Sequence, residues 1–404
     1  MRKFLPLNGA ISIIKKESRL DSIITTSQVK LTNSLGRITS RDYYADSDFP
    51  PFNKSAMDGY VVSNPDALQY EIVGMVKAGE YSQIELKSDQ CLAIMTGAPI
   101  NKNGTKVIIN EDVDVVGNKI VVKKRSNNTN IVYKGEDLKS GDISLNKGSI
   151  ITHFSLGSLA NSGVNKVDVY EKIGVSIAVT GDELIGIDKK PKDGFIRDIN
   201  GSTLFSRVNA MPFCRVDTLK MVKDSLIDTK RSIDKFLSSK SSLLILSGGS
   251  SRGEYDFVVK ALEDLGIDIF IEGVRIQPGK PVIFAKHKDK LIFGLPGNPV
   301  SVLIAFEVFV KEALYRLVGN DYNPTIFKGV LADNFKRRNS ERTLFFPVSL
   351  TNENGINYIT PVRYNGSGHI TSYNGVSYFG VIGEGETEFR NGDEIFVRQV
   401  WQNY

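Results

Sequence analysis

The chain has 404 residues, 41% of them apolar and 24% charged, with a formal net charge of +5 at neutral pH. This is the composition of an ordinary globular protein of roughly two to four domains, and it excludes disordered, collagenous and disulfide-stapled classes. The modest charge favours anionic ligands without arguing for nucleic acid, and no apolar stretch is long enough to predict a membrane span.

The N-terminal MRKFLPLNGAISIIKK has too short an apolar run for a signal peptide and lacks a small-residue cleavage site. Asn8 is placed to cap a helix running to about Leu20, with Ile11, Ile14 and Ala10 on its buried face. VKLTNSLGRITSRD follows, with a turn at Asn33 to Arg37. In PPFNKSAMDGYVV two prolines stiffen the approach, and Asp58-Gly59 makes a turn before a strand. From Tyr70 to Val122 the segments YEIVGMV, CLAIMTGAPI, KVIINEDV and KIVVKK are short, β-rich and punctuated by turns, as in an inserted β domain. A polar loop from Lys134 to Asp142 returns the chain, and SLGSLANS from Ser155 reads as a short helix. Cys91 and Cys214 have neither zinc spacing nor a disulfide framework, which suits a reducing cytoplasm.

Beyond Val169 strands alternate with helices. IGVSIAVTGDEL, CRVDTLKMV, SLLILSGG, IDIFIEGVRI, PVIFAKH and KLIFGLP read as strands, some running into turns. GSTLFSRVNAM, DTKRSIDKFLSS and the long NPVSVLIAFEVFVKEALYRLVG read as helices. This alternation predicts a mostly parallel sheet covered on both faces, with ligands outside the carboxyl ends of its strands. TGDEL, SGGSSRGEYD and LPGNP all follow strands, so they are expected to gather at that edge. From Tyr322 onward TLFFPVSL, INYITPV, SYFGVIG and DEIFVRQV predict a small all-β C-terminal domain.

SSLLILSGGSSRGEYD is the most informative stretch. A buried strand, a turn of small residues and a helix start place free N–H groups and the positive end of a helix at one spot, an arrangement that binds anions. Hydroxyls of Ser247, Ser250 and Ser251 and the charge of Arg252 are available to a phosphate, although the same pattern also serves as a plain strand-to-helix turn. It fits neither the dinucleotide fingerprint nor the P-loop. Asp182 and Glu183 either ligate a cation, orient a polar ligand or cap a helix. Asp256 either complements a helix dipole or holds a cation that a phosphate brings. Lys280 is rigidly aimed by PGKP, and Asn298 and Pro299 read equally as a helix cap and first turn. His153, His287 and His369 have no metal-ligand spacing, and no Ser-His-Asp or Cys-His arrangement is present.

Taken in order, PPFNKSAMDGY, MTGAP, KGEDLKSGD, TGDEL, SGGSSRGEYD, PGKP and LPGNPVS closely resemble the molybdopterin molybdenumtransferase family, which includes MoeA-type proteins and the E domain of gephyrin. The resemblance runs from about Leu5 to the C-terminus. It implies a multidomain α/β plus β fold: a discontinuous N-terminal domain (1–42 and 143–170), an inserted β-rich domain (43–142), a central three-layer α/β molybdopterin-binding domain (171–320) and a C-terminal β-barrel (321–404). It implies a cytoplasmic homodimer whose active cleft draws on two subunits, and a final step of molybdenum cofactor synthesis. In that step adenylylated molybdopterin and molybdate (or tungstate) are converted to molybdenum cofactor and AMP, with Mg²⁺ assisting. A molybdopterin adenylyltransferase and molybdopterin-supplying proteins are the partners it implies, with no nucleic acid and no membrane.

By the same resemblance Asp58, Thr96, Glu183, Asp224 and Asp256 are catalytic, and Asp58, Glu183 and Asp256 position Mg²⁺ or the molybdate acceptor. Asp137, Ser247, Gly248, Gly249, Ser251, Lys280, Pro296, Gly297, Asn298, Pro299, Arg342 and Ser367 bind the pterin phosphate or line its pocket. Three departures bear on substrate contacts. Ser250 and Arg252 stand where the family's glycine loop has valines, Gln277 where many relatives have lysine, and Arg197 where an aromatic is frequent. The intact carboxylates argue for an enzyme over a non-catalytic carrier or scaffold of the same family. An unrelated phosphate-binding α/β enzyme would leave PPFNKSAMDGY without a role.

Overall fold

The computed structural model describes residues 3–19, 25–248 and 254–400; the side chains of 3 and 254–256 also lie outside the described set. The chain forms two compact units. One comprises Met1–Ser27, Gly36–Ser40 and Asp168–Tyr404, the other Gln28–Leu35 and Arg41–Val167.

The larger unit is built on a seven-stranded sheet. Its elements in chain order are β1 (Lys3–Leu5), α1 (Leu7–Glu17), β2 (Ile173–Thr180), α2 (Ile199–Asn209), β3 (Cys214–Val222), α3 (Leu226–Leu237), β4 (Leu243–Ser247), α4 (Glu254–Asp264), β5 (Asp268–Val274), β6 (Ile276–Gln277), β7 (Ile283–His287) and β8 (Lys290–Leu295). The sheet order is β1-β5-β7-β8-β4-β2-β3, and only β7 runs antiparallel to its neighbours. All eight residues of β2 and all five of β4 are buried, as expected of central strands covered on both faces. Ile233 and Phe236 of α3 and Ala261 and Leu262 of α4 close one face over Leu244, Leu246 and Ile292.

Three expectations are corrected here. Helix α1 begins at Leu7, with Pro6 rather than Asn8 at the cap position, because the fixed φ of proline is already that of a helix entry. IDIFIEGVRI is two strands: β5 stays in the large sheet, while β6 pairs with a strand of the C-terminal domain. Gly273, two residues before the break, has φ +87°, and a Cβ there would lie 2.9 Å from the Phe4 ring. The long C-terminal helix is interrupted. Pro299–Ala305 (α5) and Lys311–Leu317 (α6) flank a π-helical turn, Phe306–Val310. The Glu307 carbonyl in that turn accepts from Arg398 Nη2 at 2.8 Å, a contact to a distant strand that no helical periodicity encodes.

The C-terminal strands are β9 (Ile326–Leu331), β10 (Thr343–Glu353), β11 (Ile356–Pro361), β12 (Tyr378–Ile382) and β13 (Glu394–Gln399). They close into a five-stranded barrel in the order β10-β11-β9-β13-β12, with β12 returning to β10. Strand β9 is missing from the sequence reading. Its Gly329 interrupts the apolar alternation, and a side chain there would press on Ile359 and Val397.

In the smaller unit six strands pair in the order Lys106–Ile109, Gly59–Val62, Gln90–Ile94, Gln69–Val76, Lys119–Val122 and Val113–Val116. Alternation sends Val61, Leu92 and Val107 to one apolar cluster and Val62, Cys91 and Ile108 to another. The expected short helix spans His153–Asn161, and Thr152 and Ser155 form a reciprocal cap at its start.

Candidate active site

Strands β2, β3, β4 and β8 end at one edge of the sheet, and the motifs that follow them meet there. After Thr180, Asp182 and Glu183 sit in a turn followed by the short strand Leu184–Ile185, which pairs with Ile196–Arg197. Neither carboxylate caps a helix. The cap of α2 is Asp198, whose Oδ1 accepts from Gly201 N at 2.7 Å. Burial pushes the Asp198 carboxyl up, against the pull of the Gly201 and Asn200 N–H groups. Asp224, just past β3, donates its N–H to Asp182 Oδ1 at 3.3 Å, which ties the two turns together. The Glu183 carboxylate folds back over Gly181, where a Cβ would lie 2.9 Å from either oxygen.

Ser247 ends β4 and is fully buried. Its hydroxyl donates to the Pro296 carbonyl at 3.1 Å and accepts from Asn200 Nδ2 at 3.1 Å, and Asn200 Nδ2 also donates to the Gly297 carbonyl at 2.7 Å. The SGG and LPGNP motifs are thereby clamped side by side. Asn298 occupies the cap position of α5 but makes no side-chain cap. Its amide donates instead to Ser367 Oγ at 2.9 Å, while the Ser367 carbonyl accepts from Val300 N at 3.1 Å. A loop of the C-terminal domain thus satisfies the first turn of the helix from outside.

Glu183, Asp198, Asn200, Gly248, Gly297 and Pro299 share the wall of one cavity of about 550 Å³. A narrower cleft shares Thr180, Gly248 and Gly297 and adds Asp224. Gly249, Ser250, Ser251 and Arg252 lie outside the described residues. Asp256 falls in the first turn of α4, and its side chain is likewise outside them. Lys280 does not line this cavity; its ammonium stands 4.3 Å above the Phe4 ring. Arg342 directly precedes β10, whose pairing with β6 brings it beside the strand that leads into PGKP. Arg197 lines the cavity with its Nε held by the Lys189 carbonyl at 2.9 Å. Asp198 and Asn200 are absent from the sequence-based set. The D-x-x-G spacing was a legible cap signal for the first, and no local pattern marks the second.

The smaller unit carries a separate constellation. The segment before Asp58 and the MTGAP loop are laced by Ser55 N to Ala98 O, Gly97 N to Ser55 O and Ile100 N to Asn53 O. This sets Asp58 against Thr96, from which Oδ1 accepts the backbone N–H at 2.6 Å and the hydroxyl at 2.8 Å. Those bonds, the backbone one first, hold the Asp58 carboxyl below the ordinary aspartate range. Gly59 lets the strand start: a Cβ there would lie 2.1 Å from the Ile108 carbonyl oxygen. Asp137 is exposed, and its N–H donates to the Phe49 carbonyl at 3.1 Å.

Comparison with known proteins bears on both units. Residues 5–163 match the family model described as "MoeA N-terminal region (domain I and II)", 176–316 the "Probable molybdopterin binding domain", and 328–400 the "MoeA C-terminal region (domain IV)". A protein of Methanocaldococcus jannaschii, named for molybdopterin biosynthesis, is 33% identical over 77% of this chain and 80% of its own length. A molybdopterin molybdenumtransferase of Staphylococcus aureus strain Mu50 is 28% identical over 98% of this chain and 96% of its own. The crystal structure of the molybdopterin biosynthesis moeA protein from Pyrococcus horikoshii OT3 superposes with a TM-score of 0.80 at 26% identity, covering 98% of this chain and 100% of that one.

Proposed function

The chain belongs to the MoeA family, and on that premise we propose that it is a molybdopterin molybdenumtransferase acting in molybdenum cofactor biosynthesis. The observation that carries this is the meeting of Glu183, Gly248, Gly297 and Pro299 around one cavity at the strand ends, within the segment that matches the molybdopterin-binding domain. Its finer parts are an adenylylated pterin as substrate, AMP as second product, Mg²⁺ as cofactor and a cytoplasmic homodimer as the working form. Two buried free thiols support a reducing compartment. The division into four domains with the boundaries given above belongs to the same proposal.

Backbone N–H groups at Gly248 and the start of α4 would receive the phosphates. The Ser247 hydroxyl, expected to be available to a phosphate, is instead buried and committed to the Pro296 carbonyl, so Ser247 holds the loop rather than the ligand. Pro296 to Pro299 would wall the pocket, with Asn298 and Ser367 locking its far side. Lys280 and Arg342 would add positive charge, and Asp137 a further polar contact. Glu183, Asp224 and Asp256 would position the oxyanion in the larger unit, and Asp58 and Thr96 are the catalytic residues proposed for the smaller one. An oxyanion beside carboxylates requires an intervening cation or proton. Mg²⁺ fits this donor set, because it is ordinarily held by one or two carboxylates together with ligand phosphates, and Glu183 shares a cavity with the Gly248 loop. When bound it would neutralise charge on the pyrophosphate.

The reaction breaks the phosphoanhydride. AMP leaves with the bridging oxygen, an oxygen of water or of molybdate completes the pterin phosphate, and the dithiolene sulfurs form two bonds to molybdenum as one molybdate oxygen leaves as water with the two thiol protons. The substrate would come from a reaction that adenylylates molybdopterin. The test is AMP release from adenylylated molybdopterin with Mg²⁺ and either molybdate, tungstate or no oxyanion. Oxyanion-dependent release with a metallated pterin as product is the expected result. Tight binding without release would make the protein a carrier, and neither binding nor release would overturn the assignment.

A further inference from the structure

Asn200 lies in the first turn of α2, 7% exposed, on the wall of the cavity that holds Glu183 and Gly248. Its neighbours determine which way its amide points. The Gly297 carbonyl, 2.7 Å from Nδ2, only accepts, so the NH₂ group must face it. The Ser247 hydroxyl already donates its proton to the Pro296 carbonyl, so it too receives one from Asn200. A flipped amide would set two lone-pair oxygens against each other. Both N–H groups of the side chain are therefore used. Its Oδ1 is buried and has no hydrogen-bond partner among the described residues. A buried acceptor left without a donor destabilises the fold, and on a residue that lines a cavity it is open to satisfaction by a donor that the cavity's occupant brings.

We propose, on the molybdopterin-binding reading above, that Asn200 Oδ1 accepts a hydrogen bond from an N–H of the pterin ring, and so is a specificity residue for the ring rather than for the phosphate. The chemistry excludes the phosphate as partner. Phosphate oxygens at neutral pH offer only lone pairs, as Oδ1 does. The same side chain serves two ends: its NH₂ clamps the SGG and LPGNP turns, and its oxygen reads a ring donor.

The test separates these two roles. Metal-free molybdopterin, AMP and inorganic pyrophosphate are each titrated into the full chain. Asn200→Leu removes the clamp and the acceptor together, and is expected to weaken molybdopterin about tenfold more than it weakens pyrophosphate, the further effect of one lost hydrogen bond. Asn200→Asp recovers part of that loss, because a carboxyl protonated toward the Gly297 carbonyl keeps an acceptor at Oδ1. If Asn200→Leu does not fold, Asn200→Ser, whose hydroxyl falls short of Oδ1, is read in the same way. Equal losses for molybdopterin and pyrophosphate would reduce Asn200 to a structural clamp and overturn the inference. So would no loss, or a loss confined to AMP. Wild-type protein that binds no molybdopterin would overturn the functional reading itself, and this inference with it, before any variant is made.

Discussion

Asp58 shows how two hydrogen bonds set the ionisation of an exposed carboxylate. Its folded value lies below the ordinary aspartate value because both bonds from Thr96 favour the charged form. The stability they contribute is therefore present above the unfolded-state value and is lost as pH falls through the depressed folded one. Thr96→Val removes the hydroxyl bond and keeps the backbone one. An NMR titration of the Asp58 carboxyl should show its midpoint rising part of the way to the ordinary value; an unmoved midpoint would remove Thr96 Oγ1 from the account. Cys91 is a second case, since burial raises its thiol to about 12, and burial raises Cys214 as well. Neither should react with a thiol reagent in the native protein at neutral pH, and both should react after denaturation.

At the scale of an element, the π-helical turn between α5 and α6 holds a buried charge cluster. Glu307, 4% exposed, contacts Arg207 and lies 3.3 Å from Lys311 Nζ. Its removal takes the carboxylate from two largely buried cations, of which Arg207 keeps the Val400 carbonyl and Lys311 the Tyr322 ring. Glu307→Ala should destabilise the domain by about 3–5 kcal/mol, measured by calorimetry, whereas Glu307→Gln should lose less because it retains hydrogen-bonding atoms. The strand that begins at Gly59 makes a steric prediction. A methyl group at 2.1 Å from the Ile108 carbonyl cannot be accommodated without moving the backbone. Gly59→Ala should cost about 1–3 kcal/mol of stability and should also disturb the Asp58–Thr96 pair, which the same NMR titration would register.

For the whole molecule, the prediction concerns subunits and salt. If catalytic groups are drawn from two subunits of a dimer, mixing Asp58→Ala and Glu183→Ala chains under exchange restores activity to about a quarter of wild type, since half the dimers carry one intact site of two. Activity that stays at the level of the single variants would show that each subunit works alone. Lys280→Ala should weaken pyrophosphate binding most at low ionic strength, and the difference should shrink as salt screens the charge. A penalty independent of salt would assign Lys280 to packing on Phe4 instead.

Much of this was legible in one dimension, because it rests on local chemistry. The run of β-branched and leucine residues before SGG, the alternation of strands and helices, and the Asp-Gly turn at residue 58 each declare their element through side-chain periodicity or backbone permission, which a sequence carries directly. So did the ordered motifs that placed the chain in its family. Other features depend on contacts between distant residues. The interruption of the last helix comes with the bond from Arg398 to the Glu307 carbonyl across 91 positions. The departure of β6 from the sheet follows its pairing with Thr343 and Leu344. The escape of Asn298 from its capping role depends on Ser367, 69 residues away. Asn200 carries no motif of its own; its role comes from a carbonyl and a hydroxyl that only the folded chain brings to one amide. Periodicity states which residues must be buried, but it does not state against what, and for this protein that second choice shapes the site.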